Sequence, residues 1–177
     1  EIEATNVGGS PAPGVRFTDD LPKFVKLIAG SVFFSSGTNQ SSATGGANGT
    51  GRIVVDNMTI PVGTPAKIAF SVRIFTEAEF VAAGISADQI DGQLISNQGE
   101  GSVPSVAASL KTDDPTTPPR NDPTVVTVSY KPNFTTSSKT VKDDNGGRAE
   151  PGDQLTYTVT LKNTGTKDTT VSWIDPL

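Results

Sequence analysis

KTVKDDNGGRAEPGDQLTYTVTLKNTGTKDTTVSWIDPL, residues 139–177, carries the pattern that decides the fold. Leu155, Tyr157, Val159 and Leu161 alternate with polar threonines, the period-two spacing of a strand with one apolar face. Turn chemistry brackets that strand. Asn145-Gly146 is a strong hairpin signal, and Pro151-Gly152-Asp153 turns the chain into the strand. Asn163-Thr164-Gly165 ends it, because Asn and Gly tolerate the backbone of a tight turn.

The second half of this stretch has a counterpart at the start of the chain. TVTLKNTGTKDTTVSWIDPL, residues 158–177, aligns with EIEATNVGGSPAPGVRFTDDL, residues 1–21. Asn163 and Gly165 fall on Asn6 and Gly8, Val171 on Val15, and Trp173 on Phe17. Asp175 falls on Asp19 and Leu177 on Leu21, with one extra residue in the early loop. The sequence thus begins inside one module and ends inside the next. We expect a first module over residues 1–126 that lacks its opening strands, and opening strands of a further module over residues 127–177.

The intervening chain reads as short strands separated by turns. Val15 to Thr18, Phe24 to Ile28, Ser31 to Ser35, Arg52 to Val55, Asn57 to Ile60, Leu94 to Gln98, Val106 to Leu110 and Thr124 to Tyr130 are expected strands. The clearest is Lys67 to Phe75, with Ala66, Ile68, Phe70, Val72 and Ile74 sharing one face. One helix interrupts the pattern. Thr76 followed by Glu79 forms a capping box, Phe80, Val81 and Ala83 supply an apolar face, and Gly84 ends the turn. Residues 37–51, GTNQSSATGGANGTG, have almost no apolar side chain and read as a mobile surface loop. Strands at this spacing with almost no helix predict an all-β, immunoglobulin-like antiparallel β-sandwich with one short helical insertion.

Composition narrows the function classes. The 177 residues carry a net charge of −5 with no run of Lys or Arg, so the clustered basic footprint of a nucleic-acid binder is missing. Cysteine and histidine are both absent. Disulfides, thiol nucleophiles and the commonest neutral-pH base are therefore unavailable. No apolar stretch reaches the length of a membrane span. Gly84-Ile85-Ser86-Ala87-Asp88 lacks the closing glycine of a nucleophile elbow. Gly99-Glu100-Gly101 lacks both the third glycine and the following helix of a dinucleotide site. A protein without enzymatic activity is expected.

The motif in the last stretch is similar to a bacterial family. Asn145, Gly146, Gly147, Glu150, Pro151, Gly152, Asp153, Leu155, Tyr157, Val159, Asn163, Gly165, Val171, Asp175, Pro176 and Leu177 carry the resemblance. The first module adds Val15, Asp19, Leu21, Pro22, Pro61-Val62-Gly63 and Phe70 to Val72, then residues 95–98 and 112–115. Together they resemble the conserved-repeat domain of unknown function, number eleven in its series, which occurs in tandem in large bacterial surface proteins. Residues 37–51 and 76–91 look like insertions in that pattern. The resemblance implies an immunoglobulin-like sandwich in an extracellular, cell-surface protein of structural or adhesive role, and no catalytic residues.

Without a counterpart of residues 139–157, the first module would expose unpaired backbone and core side chains. Three completions are open. The C-terminal stretch folds back on its own module, or inserts into another copy as a donor strand, or flanking sequence of a longer array supplies the strands. Leu155, Tyr157, Val159, Leu161, Val171 and Trp173 are the candidate joining residues, with Trp173 as a core anchor or a contact to the next module. Partners are then copies of the chain or flanking modules, and head-to-tail joining builds a homopolymer. A glycan or host cell-surface ligand is the adhesin alternative.

Oxygen ligands raise calcium as a candidate cofactor. Asp143, Asp144, Asn145, Glu150 and Asp153 share one loop, Asp113, Asp114 and Asp122 another, and Asp19 and Asp20 lie near a module end. Such ions would stiffen a stalk. The spacing does not match an EF-hand, and turn-forming carboxylates facing water are the plainer alternative. Sequons at Asn39, Asn48, Asn57 and Asn133 are candidate glycosylation sites, of a kind that arises readily by chance in Ser/Thr-rich sequence.

Overall fold

Strand β6 (Arg52–Ile60) is the spine of the first sheet, and its sequence explains how it stays buried along its length. A strict alternation would point Ile53, Val55, Asn57 and Thr59 inward. Instead, Asn57 adopts a left-handed φ of 55°, and the pairing with β2 (Ala12–Asp20) steps from Phe17↔Val55 to Val15↔Met58. That extra residue is a β-bulge. It shifts the phase so that Ile53 and Val55 before it, and Met58 and Ile60 after it, are all buried. The two strands expected over residues 52–60 are one bulged strand.

The coordinates are those of a computed structural model, and the structure describes residues 1–104, 106 and 109–175. The chain forms two compact units, residues 1–128 and 129–177. The first contains two facing antiparallel sheets. One runs β11 (Leu110–Lys111), β10 (Glu100–Ser102), β2, β6 and β5 (Thr38–Asn39). The other runs β1 (Ile2–Ala4), β7 (Ala66–Ala69) and β4 (Phe33–Phe34). Between them Val15, Phe17, Met58 and Ile60 from the first face Ile2, Ala4, Ala66 and Ile68 from the second across a cavity of about 50 Å³. This is the all-β sandwich expected from the sequence, and apolar burial across the sheets drives it.

Two smaller pairs flank the sandwich, β3 (Val25–Leu27) with β8 (Val72–Ile74) and β9 (Leu94–Asn97) with β12 (Thr124–Thr127). The single strand expected over residues 67–75 is divided between β7 and β8. Ala66 and Ile68 are buried, whereas Val72 and Ile74 are exposed on the second pair. The strand expected over residues 106–110 falls partly outside the described residues. Its end, Leu110–Lys111, pairs with β10.

Helix α1 (Glu77–Ala82) follows the expected capping box: Thr76 Oγ1 accepts from Glu79 N–H, and Glu79 accepts from Thr76 N–H. Only Phe80 of the expected apolar face is buried, packing on Phe24 and Phe75 with ring centroids 5.0 and 5.9 Å away. Val81 is exposed. Full burial of a phenylalanine stabilises by about 1.5–3 kcal/mol, so this one residue anchors the helix.

Residues 37–51 are not the loose loop that their composition suggests. Thr38 and Asn39 pair with β6, Asn48 Nδ2 and Thr50 Oγ1 both donate to Leu21 O at 2.9 and 2.8 Å, and Ser41 Oγ accepts from Val54 N–H. Apolar burial was the missing ingredient in the sequence. Hydroxyl and amide side chains serve the backbone in its place.

The second unit is a hairpin of β13 (Ser138–Asp143) and β14 (Leu155–Thr160), registered Lys139↔Val159 and Val141↔Tyr157. Gly146 and Gly147 supply left-handed backbone at its turn. Residues 129–133 run alongside the chain that leaves β14, with Thr164 N–H donating to Asn133 O and Thr166 N–H to Lys131 O. Residues 168–175 align with β2 yet form no strand. The neighbours that hold β2 in the first unit, β6 and β10, have no counterpart among the described residues of the second.

Candidate assembly site

The aligned asparagines build the same turn twice. Asn6 Oδ1 accepts from Gly8 N–H at 2.9 Å, and its Nδ2 donates to Ser10 O at 2.8 Å. Asn163 Oδ1 accepts from Gly165 N–H at 2.9 Å, and its Nδ2 donates to Lys167 O at 2.8 Å. Two matching bonds in each turn make them alike in structure as well as in sequence.

The neighbours of the two turns differ in kind. In the first unit, Asn6 Nδ2 also donates to Ile60 O at 3.1 Å, and Gly63 N–H donates to Asn6 O at 3.0 Å. There the turn rests on the end of β6 and the turn that follows. In the second unit, Asn133 N–H donates to Asn163 Oδ1 at 3.0 Å, so the turn rests on residues 131–133. The adjoining strands follow suit. β1 lies at the edge of its sheet with β7 as neighbour, while its counterpart β14 pairs with β13 alone.

The candidate joining residues are exposed within the second unit. Tyr157 and Trp173 are 49% and 52% accessible, whereas Phe17, which aligns with Trp173, is 5% accessible. Leu155, Leu161, Val171 and Val141 are likewise exposed, and only Val159 is half-buried. Leu155, Tyr157 and Val141 lie on the hairpin strands, and Leu161, Val171 and Trp173 lie in the chain that follows β14. Lys139 lies over the Tyr157 ring at 4.9 Å and bonds both oxygens of Asp175 at 2.8 and 2.7 Å.

Asp19, the counterpart of Asp175, is placed differently. It is buried, its Oδ2 accepts from Asn97 Nδ2 at 2.8 Å, and its Oδ1 has no partner. Burial pushes its carboxyl up to about 6, against the opposing effect of the Asn97 bond and with a further push from Asp20. Nothing in the sequence around Asp19 announces a buried acid. Asp20 beside it forms an ion pair with Arg52 and has its carboxyl held low chiefly by that hydrogen bond.

The acidic loops are spent on turns except at Asp143, whose two carboxylate oxygens are buried without a partner among the described residues. Asp153 accepts from Asn145 Nδ2 and from Glu150 N–H, and Asp144 accepts from Thr156 Oγ1. Asp113 accepts from Asn121 N–H, while Asp114 and Asp122 accept from Thr116 and Thr117. Among the described residues no three carboxylates converge in a way that could hold a metal ion, so calcium gains no support from the geometry. Of the sequons, Asn39, Asn57 and Asn133 are exposed, and Asn48 is exposed with its amide nitrogen engaged by Leu21 O.

A groove of about 460 Å³ lies between the 48–50 turn and the chain around α1, lined by Lys23, Phe24, Asn48, Thr50, Phe75 and Ile85. The groove exists because residues 48–50 and the chain around α1, distant in sequence, fold side by side, so no local pattern signals it. Comparison with family models, curated proteins and solved structures gave no match. The resemblance to the bacterial repeat domain therefore stands on its quoted residues alone.

Proposed function

We propose that this chain is a structural module of an extracellular fibre, stalk or sheath, joined head to tail to like modules by β-strand complementation. The observation that carries this reading is the complementarity of the two half-built units. β1 and β14 are counterparts, and each lies at a sheet edge with a single partner, β7 for β1 and β13 for β14. Joining the halves would pair those edges and cover the apolar row around Tyr157 and Trp173, removing two features that isolated proteins avoid. A heterologous, non-closing joint of this type builds filaments. The extracellular setting belongs to the same proposal and rests on the family resemblance.

Negative-stain imaging and size-exclusion chromatography of the native chain test the reading. Filaments or concentration-dependent oligomers are expected, with Trp173 emission shifting to the blue as the joint forms. A compact monomer at every concentration would sink it.

The groove between the two insertions supports a second reading, an adhesin module. Phe24 and Phe75 offer ring faces while Asn48, Thr50 and Lys23 offer polar groups, the mixture of apolar wall and few polar anchors that small-ligand sites use. A glycan-array screen tests it, and an array blank at all concentrations removes it.

A further inference from the structure

We propose that the turn at residues 6–9 and the open edge of β1 form a seat for residues 129–143 of a second copy of the chain, with residues 131–133 lying against Gly8 and β13 alongside β1. This rests on the complementation reading and gives it a register.

The glycines carry the argument. Neither Gly8 nor Gly165 has a left-handed backbone, so conformation does not require glycine at either position. Space requires it at Gly165. A Cβ there would lie 2.5 Å from Asn133 N and 2.7 Å from Pro132 C, because residues 131–133 cross directly over it. A Cβ at Gly8 would meet only Asn6 Oδ1 of its own turn, at 3.1 Å. The first unit keeps the same turn and the same glycine, and the space above that glycine is open.

Backbone direction agrees. Asn6 O accepts from Gly63 N–H on the β7 side, and the Asn6–Val7 peptide bond is trans. The Val7 N–H therefore points the opposite way, and Val7 is 94% exposed. Its counterpart, Thr164 N–H, is the donor to Asn133 O. Asn6 Oδ1 accepts from Gly8 alone among the described residues, whereas Asn163 Oδ1 accepts from both Gly165 and Asn133. Since Val159 aligns with Ile2 and pairs with Lys139, the incoming strand sets Lys139 beside Ile2 and Ser138 beside Glu3. In the seat β13 exchanges β14 for its counterpart β1, and so moves from an exposed hairpin to a sheet backed by a core.

A synthetic peptide of residues 129–143, added to the full chain, is the probe, and amide hydrogen exchange is the readout. Val7 and Gly9, the counterparts of Thr164 and Thr166, should exchange about tenfold more slowly, the effect of one good backbone hydrogen bond. Gly8→Ala should abolish that protection without lowering the melting temperature of the chain. Unchanged exchange at Val7 and Gly9 in the wild type, or full protection in Gly8→Ala, overturns the seat. Filaments that persist unaltered in Gly8→Ala overturn the seat and leave head-to-tail assembly standing. Protection at Val7 and Gly9 in a chain that never assembles supports the seat and overturns the fibre.

Discussion

Asn97 donates to Asp19 Oδ2 at 2.8 Å, and the remaining side-chain oxygen of each residue is buried without a partner. Two orphaned acceptors side by side in a core are costly, and they make the sandwich respond to pH. Burial raises the Asp19 carboxyl to about 6 from an ordinary value of 3.8. A raised folded-state value means that the folded chain holds its proton more tightly. The associated stability is full below pH 3.8 and is lost as pH rises through 6. That shift corresponds to about 3 kcal/mol. Asp19→Asn should stabilise the isolated chain by up to about that amount at pH 7, with the advantage vanishing near pH 4. Urea titrations across that range check this, and a pH-independent difference contradicts it.

Gly165→Ala should open the second unit. The new methyl would displace residues 131–133 and strain three hydrogen bonds, from Thr164 and Thr166 N–H to residues 133 and 131 and from Asn133 N–H to Asn163. At about 1 kcal/mol each, the loss is about 2–3 kcal/mol. Exchange at the Thr164 and Thr166 amides reads it directly. Wild-type protection in the variant would show that the crossing is dispensable.

The helical insertion depends on one ring and one cap. Phe80→Ala should cost about 3–5 kcal/mol, because Phe24 and Phe75 would close on a void. Thr76→Ala should cost about 1 kcal/mol through loss of the cap. Glu79 ties the cap to the sheet through Arg73 and Lys26 at 2.8 and 2.7 Å, and those partners, Arg73 foremost, hold its carboxyl well below the usual range. Its contribution is present above the ordinary value of 4.5 and fades as pH falls well below it. Glu79→Gln should therefore lower the melting temperature at pH 7 and lose its effect in strong acid. Thermal melts of the three variants at both pH values check the ranking.

Calcium should not matter to the fold. The carboxylates of Asp144 and Asp153 are engaged by Thr156, Asn145 and the Glu150 amide, and no three acids converge among the described residues. Melting temperatures in chelator and in millimolar calcium should coincide. A rise with calcium would show that these loops rearrange around an ion.

The sequence by itself determined the all-β sandwich and the capped helix. Alternation along β14, the Thr76 to Glu79 box and the Asn-x-Gly turns are local patterns, and local patterns survive in a linear string. Only the tertiary structure decided how residues 37–51 are held, since side-chain hydrogen bonds from Asn48 and Thr50 to Leu21 leave no periodic trace. The Asn57 bulge, the buried Asp19 and the division of residues 66–74 between two sheets likewise depend on partners distant in the chain. The same holds for the difference between Gly8 and Gly165. The two residues are alike in sequence, and only what crosses above them in space tells an open seat from a filled one.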